Sequence, residues 1–342
     1  MPPRSHALCH QPPGALRDAW DALRTAQPNI RPREAALALG VSEAELIATG
    51  CGAETLRLSS PWPPLLTGVS RLGRVVVQTR TARSILEERG TYPAHLLRSR
   101  GGDGIDVRFA CDRWFLGYAF QEAGVRQLAF YDRSGTAVHK IFLPDGSRDA
   151  GWDELVHRHA HAVQLPGEHL PPSVPGRTRP DAAIDASTLR TGWAALQGHE
   201  GIDLLLDAHQ TTLIQAFRVV GPRWAVPISC TSLARVLRCA AIEGMPLTVT
   251  VANRGAAQVY RGPLPRVYSS GRWLNARALD VSLQVRADRV TSAWLVRAPF
   301  FGGVTQRYEF FDARGDVVLQ IASAREGGEA EPDRWRALVE RI

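Results

Sequence analysis

The sequence predicts an α+β protein made by tandem duplication of one domain, each copy having N-terminal helices, an antiparallel β-sheet and a closing helix. Three observations predict it. First, short runs recur in one order at nearly constant spacing. Val75-Val76-Val77-Gln78-Thr79-Arg80 reads like Val249-Thr250-Val251-Ala252-Asn253-Arg254, 174 residues on, and Ile105-Asp106-Val107 reads like Leu279-Asp280-Val281 at the same spacing. Phe130-Tyr131-Asp132-Arg133-Ser134-Gly135 returns as Phe310-Phe311-Asp312-Ala313-Arg314-Gly315 after 180 residues, and Trp152-Asp153-Glu154-Leu155-Val156 as Trp335-Arg336-Ala337-Leu338-Val339 after 183. A period this long excludes a solenoid and means two copies of one domain. Second, these runs are short, β-branched or aromatic, and bounded by turn residues. Third, residues 164–181 hold Pro166, Pro171, Pro172, Pro175 and Pro180, the composition of a stiff spacer. The predicted domains are therefore 1–162 and 183–342, joined by a linker over 163–182.

The elements follow in order. Helical periodicity over residues 15–23 and 33–39 opens the first copy, with Gly40 as a stop. Ser42 starts a short second helix, and Glu45 three residues later completes a capping box. Residues 75–78, 105–109 and 114–120 read as strands. Residues 127–131, the turn Asp132-Arg133-Ser134-Gly135 and residues 137–142 read as a hairpin, whose twin is 309–311, Asp312-Ala313-Arg314-Gly315 and 317–321. Closing helices carry Trp152 and Trp335. In the second copy a helical stretch over 204–217 contains Asp207-Ala208-His209-Gln210. Asp18-Ala19-Trp20 matches it at a spacing of 189, which sets Trp20 against His209 but breaks the growing series of spacings.

Composition narrows the function classes. With 342 residues, 44% of them hydrophobic, the chain can bury a substantial core. The formal net charge is +7, and Lys140 is the single lysine, so the cations are arginines, whose planar forks suit carboxylate and phosphate. They are dispersed, as on an ordinary solvated surface. No apolar run reaches bilayer length and residues 1–15 lack a secretory h-region, so the expectation is a soluble cytoplasmic protein. Five scattered cysteines without a Cys-x-x-Cys pair argue against a disulfide framework or zinc ribbon. There is no dinucleotide fingerprint, P-loop or nucleophile elbow, and Gly101-Gly102-Asp103-Gly104 reads as a turn.

Two histidine features could carry chemistry. His209 on its helix could offer a neutral imidazole nitrogen to a metal, but from one histidine alone a side chain facing solvent or a polar contact is the expectation. His157, His159 and His161 alternate, but on a helix only His157 and His161 would meet, and no carboxylate or thiolate joins them, so a solvated helix end is expected.

Further runs follow a single order. They are Leu16-Arg17-Asp18-Ala19-Trp20, Gly40-Val41-Ser42-Glu43-Ala44-Glu45-Leu46 and residues 127–140 in the first copy. In the second they are Asp207-Ala208-His209-Gln210, Ala252-Asn253-Arg254-Gly255, Gly262-Pro263, Trp273-Leu274-Asn275, Ala293-Trp294 and Phe310-Phe311-Asp312. Over nearly its whole length the chain resembles the haemin-degrading factor family, the HemS-like cytoplasmic haem proteins of bacterial haem uptake. The resemblance implies tandem α+β repeats with one haem b, as ligand or substrate, bound by the second half. It implies that His209 is the axial ligand of the haem iron. It implies Arg108, in Asp106-Val107-Arg108, as the distal and catalytic residue on the opposite face, and Arg325, in Ser323-Ala324-Arg325, near the propionates. Arg223 matches a further family arginine after a one-residue gap. The chemistry is coherent: iron takes an imidazole nitrogen, the porphyrin wants an apolar cleft, and propionates want guanidinium partners.

The chain departs from the family pattern at four places. Thr211 and Thr212 stand where two bulky aromatics follow the histidine, Ala298 where a lysine is expected, and Ala322 where a tyrosine is. The resemblance implies a role in iron acquisition in one of two versions. One is an enzyme with haem oxygenase-like activity served by an electron donor; the other is a carrier that passes haem to a downstream haem oxygenase. A basic nucleic-acid-binding protein is the alternative from another class. No recognition helix or aromatic–basic strand signature supports it, so non-specific retention at most is expected. A fold that persists without haem binding is the remaining alternative.

Overall fold

The computed structural model describes residues 13–93, 104–144, 149–172, 179–196, 200–300, 303–325 and 329–342; Gly101, Gly102, Asp103 and Pro175 lie outside these. The chain begins with α1 (Pro13–Ala26), α2 (Pro32–Leu39), α3 (Glu43–Ala48), β1 (Thr55–Leu58) and α4 (Trp62–Val69). Strands β2 (Arg74–Arg80), β3 (Ser84–Thr91), β4 (Asp106–Phe109), β5 (Leu116–Glu122), β6 (Val125–Tyr131) and β7 (Ala137–Leu143) follow, then α5 (Asp149–Arg158). The sequence of elements repeats: α6 (Ala186–Ala194), α7 (Glu200–His209), α8 (Leu213–Val220), β8 (Ala225–Ile228) and α9 (Ser232–Ile242). After them come β9 (Leu247–Ala252), β10 (Ala256–Gly262), β11 (Arg266–Ser270), β12 (Trp273–Arg277), β13 (Val281–Val285), β14 (Ser292–Phe300), β15 (Gly303–Phe311), β16 (Val317–Ser323) and α10 (Asp333–Arg341). The fold is the α+β class, with antiparallel pairing throughout both hairpin sheets.

Two compact units divide the chain. The first comprises Met1–Thr79, Glu88–Val174 and Asn253–Ala257; the second comprises Arg80–Glu87, Pro175–Ala252 and Gln258–Ile342. In the first, strands run in the order β1-β5-β6-β7-β2. Because side chains alternate across a strand, this sheet buries both faces. Ala119, Leu128 and Phe130 face Trp62, Leu65 and Trp152 of α4 and α5, while Leu116, Tyr118 and Tyr131 face Leu16, Trp20 and Leu46 of α1 and α3. The second unit repeats the plan with the order β9-β16-β15-β14-β8. Tyr308, Phe310 and Ile321 face Val236, Trp335 and Leu338 of α9 and α10, and Trp294, Val296 and Phe311 face Trp193, Ile202 and Phe217 of α6, α7 and α8.

The duplication is clearest in the two hairpins. Each has a register shift, at Phe130/Tyr131 and at Phe310/Phe311. Each turn closes with the glycine N–H on an aspartate carbonyl, Gly135 on Asp132 and Gly315 on Asp312, both at 2.9 Å. In each, the aspartate carboxylate accepts the N–H two residues on, from Ser134 and from Arg314, again at 2.9 Å. Both glycines have positive φ, 73° and 77°, where a Cβ would be strained. The predicted box at Ser42 is present, with Glu45 carboxylate accepting the Ser42 N–H at 2.8 Å.

Two expectations are corrected. The helical stretch over 204–217 is two helices: Gln210 turns left-handed at φ 48°, and Thr212 caps α8 in a box with Gln215. The match of Trp20 to His209 also fails, because Trp20 lies on α1 and His209 ends α7, the counterpart of α2. The true spacing here is 170: Gly40 matches Gln210, both with positive φ, and the Ser42 cap matches the Thr212 cap. His209 therefore stands where the first unit has Leu39, and Trp20 corresponds by element to Trp193 of α6. From Gly40 onward this spacing restores the growing series.

The proline-rich stretch begins against the first unit. Gln164 accepts the Arg57 N–H at 2.9 Å and donates to the Arg57 and His161 carbonyls, the Gly167 N–H reaches Ala48 O at 2.8 Å, and Leu170 is buried. It ends against the second, where Asp181 pairs with Arg218 at 2.5 Å.

Candidate functional site

His209 is placed by a helix ending. On α7, Ile202 is buried and Leu205 and Leu206 half-buried among α6 and α8, while Asp203, Leu204, Asp207 and Ala208 are exposed. The helix closes in a Schellman arrangement: Gln210 N–H donates to Asp207 O and Thr211 N–H to Leu206 O, both at 3.0 Å. His209 is the last helical residue and half-buried, and among the described residues neither ring nitrogen is engaged in a hydrogen bond. Its electrostatic neighbour is Asp185, the N-cap of α6, which accepts the Ser187 N–H at 2.9 Å and the Thr188 N–H at 3.2 Å. The hydrogen bonds from Thr188, joined by that from the Ser187 N–H, hold the Asp185 carboxyl below the usual range.

The predicted arginines fall as follows. Arg223, just past α8, lays its guanidinium over the Trp224 ring at 4.8 Å. With Arg190, Thr191, Ala194 and Val220 these two line a cleft of about 440 Å³. Arg190 donates its Nε to Val219 O at 3.1 Å. Arg325, beyond β16, is half-buried and donates to Glu329 O at 3.1 Å; burial pushes its pKa down, opposed by Glu331 and Glu329. The guanidinium stays charged at any physiological pH. These residues and His209 all belong to the second unit. Arg108 belongs to the first, exposed on β4 between buried Val107 and half-buried Phe109.

The departures have structural roles. Thr211 and Thr212 complete the turn and cap between α7 and α8, and Ala298 is buried on β14. Ala322 on β16 lies directly across from Arg307 on β15, whose other neighbour across the strands is Val296. Arg307 is buried and its Nε lies 2.5 Å from Glu309, which also accepts from Gln320 at 3.1 Å. Burial pushes the Glu309 pKa up while Arg307 and Gln320 draw it down. Sequence reading missed this buried polar set. Its signal is the alternation Thr305, Arg307, Glu309 against Gln306, Tyr308, Phe310 along one strand. The alternate histidines make no metal cluster: His157 at the end of α5 contacts Asp153 O at 2.7 Å and His161 contacts Val163 O at 3.1 Å. No group of three or more metal-ligating side chains occurs among the described residues.

The haemin-degrading HemS/ChuX domain model matches residues 40–159 and again 210–342. The chain belongs to the HemS/ChuX family. The second match to the HemS/ChuX domain starts one residue after His209. Among curated proteins of the family, the hemin transport protein HmuS of Yersinia pestis is 27% identical over 338 residues, covering 96% of this chain and 97% of that protein. The hemin transport protein HemS of Yersinia enterocolitica is 27% identical over 328 residues, covering 92% and 93%. Among solved structures, holo-PhuS, a heme-binding protein from Pseudomonas aeruginosa, is 33% identical with a TM-score of 0.90 over 97% of this chain and 99% of that one. The heme-degrading enzyme ChuS of Escherichia coli O157:H7, 24% identical with a TM-score of 0.87 over 97% and 99%, shares the fold. No helix among the described residues is long and apolar enough to cross a membrane.

Proposed function

We propose that this HemS/ChuX-family protein binds one haem in the cytoplasm and hands it on during haem uptake, with His209 as the axial ligand of the iron. The observation that carries the reading is the exchange of Leu39 in the first unit for His209 in the second, at the same place in the fold. An apolar residue gives way to a half-buried imidazole with no hydrogen bond among the described residues. A ring nitrogen not already engaged is what an iron ligand must offer. The residue types fit the group: Arg223 and Arg325 would supply guanidinium for propionates, and the half-buried Leu205, Leu206, Leu213 and Ile214 give apolar surface along α7 and α8. Haem would supply the iron and the redox chemistry. The chain's own part is to ligate it and to hold its carboxylates. Arg108 is proposed as the distal residue on the resemblance alone. Transfer is favoured over degradation because the two curated relatives are named for transport.

The test is a haemin titration followed in the Soret band. Wild type should saturate at one haem per chain, and His209→Ala should lose the spectrum of imidazole ligation. If the two titrate alike, His209 is not the ligand. Turnover with a reductase that persists in the presence of catalase would replace the transfer reading by an enzymatic one.

A further inference from the structure

In the second unit β13, β12 and β11 end a longer sheet in that order and pair antiparallel. One face packs Leu274, Ala276, Leu283 and Val285 into the core. Alternation sends Arg266, Tyr268, Trp273, Arg277 and Arg286 to the other face. Arg266 and Arg277 are directly cross-strand partners and both are exposed. Like charges in that relation destabilise a sheet unless something negative sits between them. Many other arginines of the protein sit on carboxylates: Arg57 on Glu168 at 2.6 Å, Arg286 on Asp288 at 2.8 Å, Arg341 on Glu243 at 2.5 Å. Among the described residues no carboxylate pairs with Arg266, Arg277 or Arg272 at the hairpin tip.

Aromatic rings lie among these cations. The Arg277 guanidinium is 5.9 Å from the centre of the Tyr268 ring, and that of Arg286 is 5.6 Å from the Trp273 ring. Tyr268 is 41% exposed, enough for a planar group to reach it. The pattern was invisible as a string, because it forms only when the turn at Gly271, φ 56°, folds β11 onto β12.

We propose that the exposed face of the β11–β12 hairpin binds single-stranded nucleic acid. Arg266, Arg272 and Arg277 take successive phosphates, and a base stacks on Tyr268. Cationic grooves interleaved with aromatic platforms bind single strands in this way, with little sequence preference. A duplex keeps its bases stacked inside and gives Tyr268 nothing to hold.

The test is fluorescence anisotropy of the full-length protein with a fluorescein-labelled mixed-sequence single strand of about 20 nucleotides, several times the smallest site sizes of such surfaces. Binding should persist near 0.15 M salt, roughly the physiological ionic strength. Tyr268→Ala should weaken it by about 5- to 100-fold, and Tyr268→Phe should restore it. Arg266→Ala and Arg277→Ala should each lower the salt slope by about 0.7. Haemin titration of the same variants should be unchanged, which separates this face from the haem proposal and shows that the fold survives. No binding at that salt overturns the proposal. So does a Tyr268→Ala variant that binds like wild type, or a duplex or heparin held as tightly as the single strand, since each leaves charge attraction alone.

Discussion

His139 is buried to 1% exposure between the Tyr92 hydroxyl, 3.1 Å from Nε2, and the Thr79 hydroxyl, 3.3 Å from Nδ1, with Phe109 and Trp114 against its ring. Burial lowers its pKa from 6.5 to about 3. The unfolded chain therefore takes up a proton that the folded chain refuses. The stability this confers is complete above pH 6.5 and is lost as pH falls towards 3, at up to about 1.4 kcal/mol per pH unit. Urea unfolding at pH 7.5 and pH 5 should show that loss in the wild type and a flatter dependence in His139→Phe. Gly255 makes a second test. A Cβ there would come within 2.8 Å of Trp114 Nε1 and Val138 Cβ. Gly255→Ala should cost about 1–3 kcal/mol in urea unfolding. The run Asn253-Arg254-Gly255 was visible in the sequence, but its reason was not. Asn253 donates to Val138 O at 2.8 Å and accepts the Gly255 and Ala256 N–H groups, and Trp114 donates to Gly255 O. Val138 and Trp114 lie more than a hundred residues away, beyond the reach of local pattern.

The ending of α7 sets where His209 points, and it is held by residues of ordinary type. Gln210 occupies the left-handed region at a cost of about 1–2 kcal/mol for a side-chain-bearing residue. Gln210→Gly should leave stability equal or slightly higher, whereas Gln210→Val should lower it; thermal melts decide. Thr212→Ala removes the cap of α8 and should cost about 1 kcal/mol, with haemin affinity falling as the turn that follows His209 loosens. The turns and boxes made of strong formers were legible beforehand: Asp132 to Gly135, Asp312 to Gly315, and Ser42 with Glu45. The break at Gln210-Thr211 was not, because neither residue is a breaker and tertiary packing chose the stop. The repeat was misregistered for the same reason. Two matching letters, Asp-Ala, set Trp20 against His209 in the string, whereas the true equivalence lies in backbone angles and a cap. The site residues came from the resemblance; the structure supplies their settings, and it adds the Arg307–Glu309–Gln320 set that separate readings of each residue could not assemble.

At the scale of the whole chain, each unit holds a segment coded within the other's stretch of sequence. Arg80–Glu87 gives the second unit Leu86 for its core, the Arg83 contact to Asp312 at 3.3 Å and the Ser84 hydroxyl donating to Val318 O at 2.5 Å. Asn253–Ala257 gives the first the carbonyl that receives Trp114. Residues 1–174 and 175–342 produced separately should each unfold at lower urea than the full chain, because each leaves buried polar groups of its unit unpaired. A half as stable as its unit in the full chain would show the exchanged segments to be ornamental. The exchange also has a consequence on the ribosome. Gly255 leaves the synthesis machinery 81 residues after Val174, the last residue of the first unit's main body. At bacterial and eukaryotic rates of about 5–20 residues per second that is a wait of roughly 4–16 s. For that interval the indole of Trp114 lacks its acceptor, so the first domain to be made stays unfinished until synthesis is well into the second, and a chaperone has its best opportunity then.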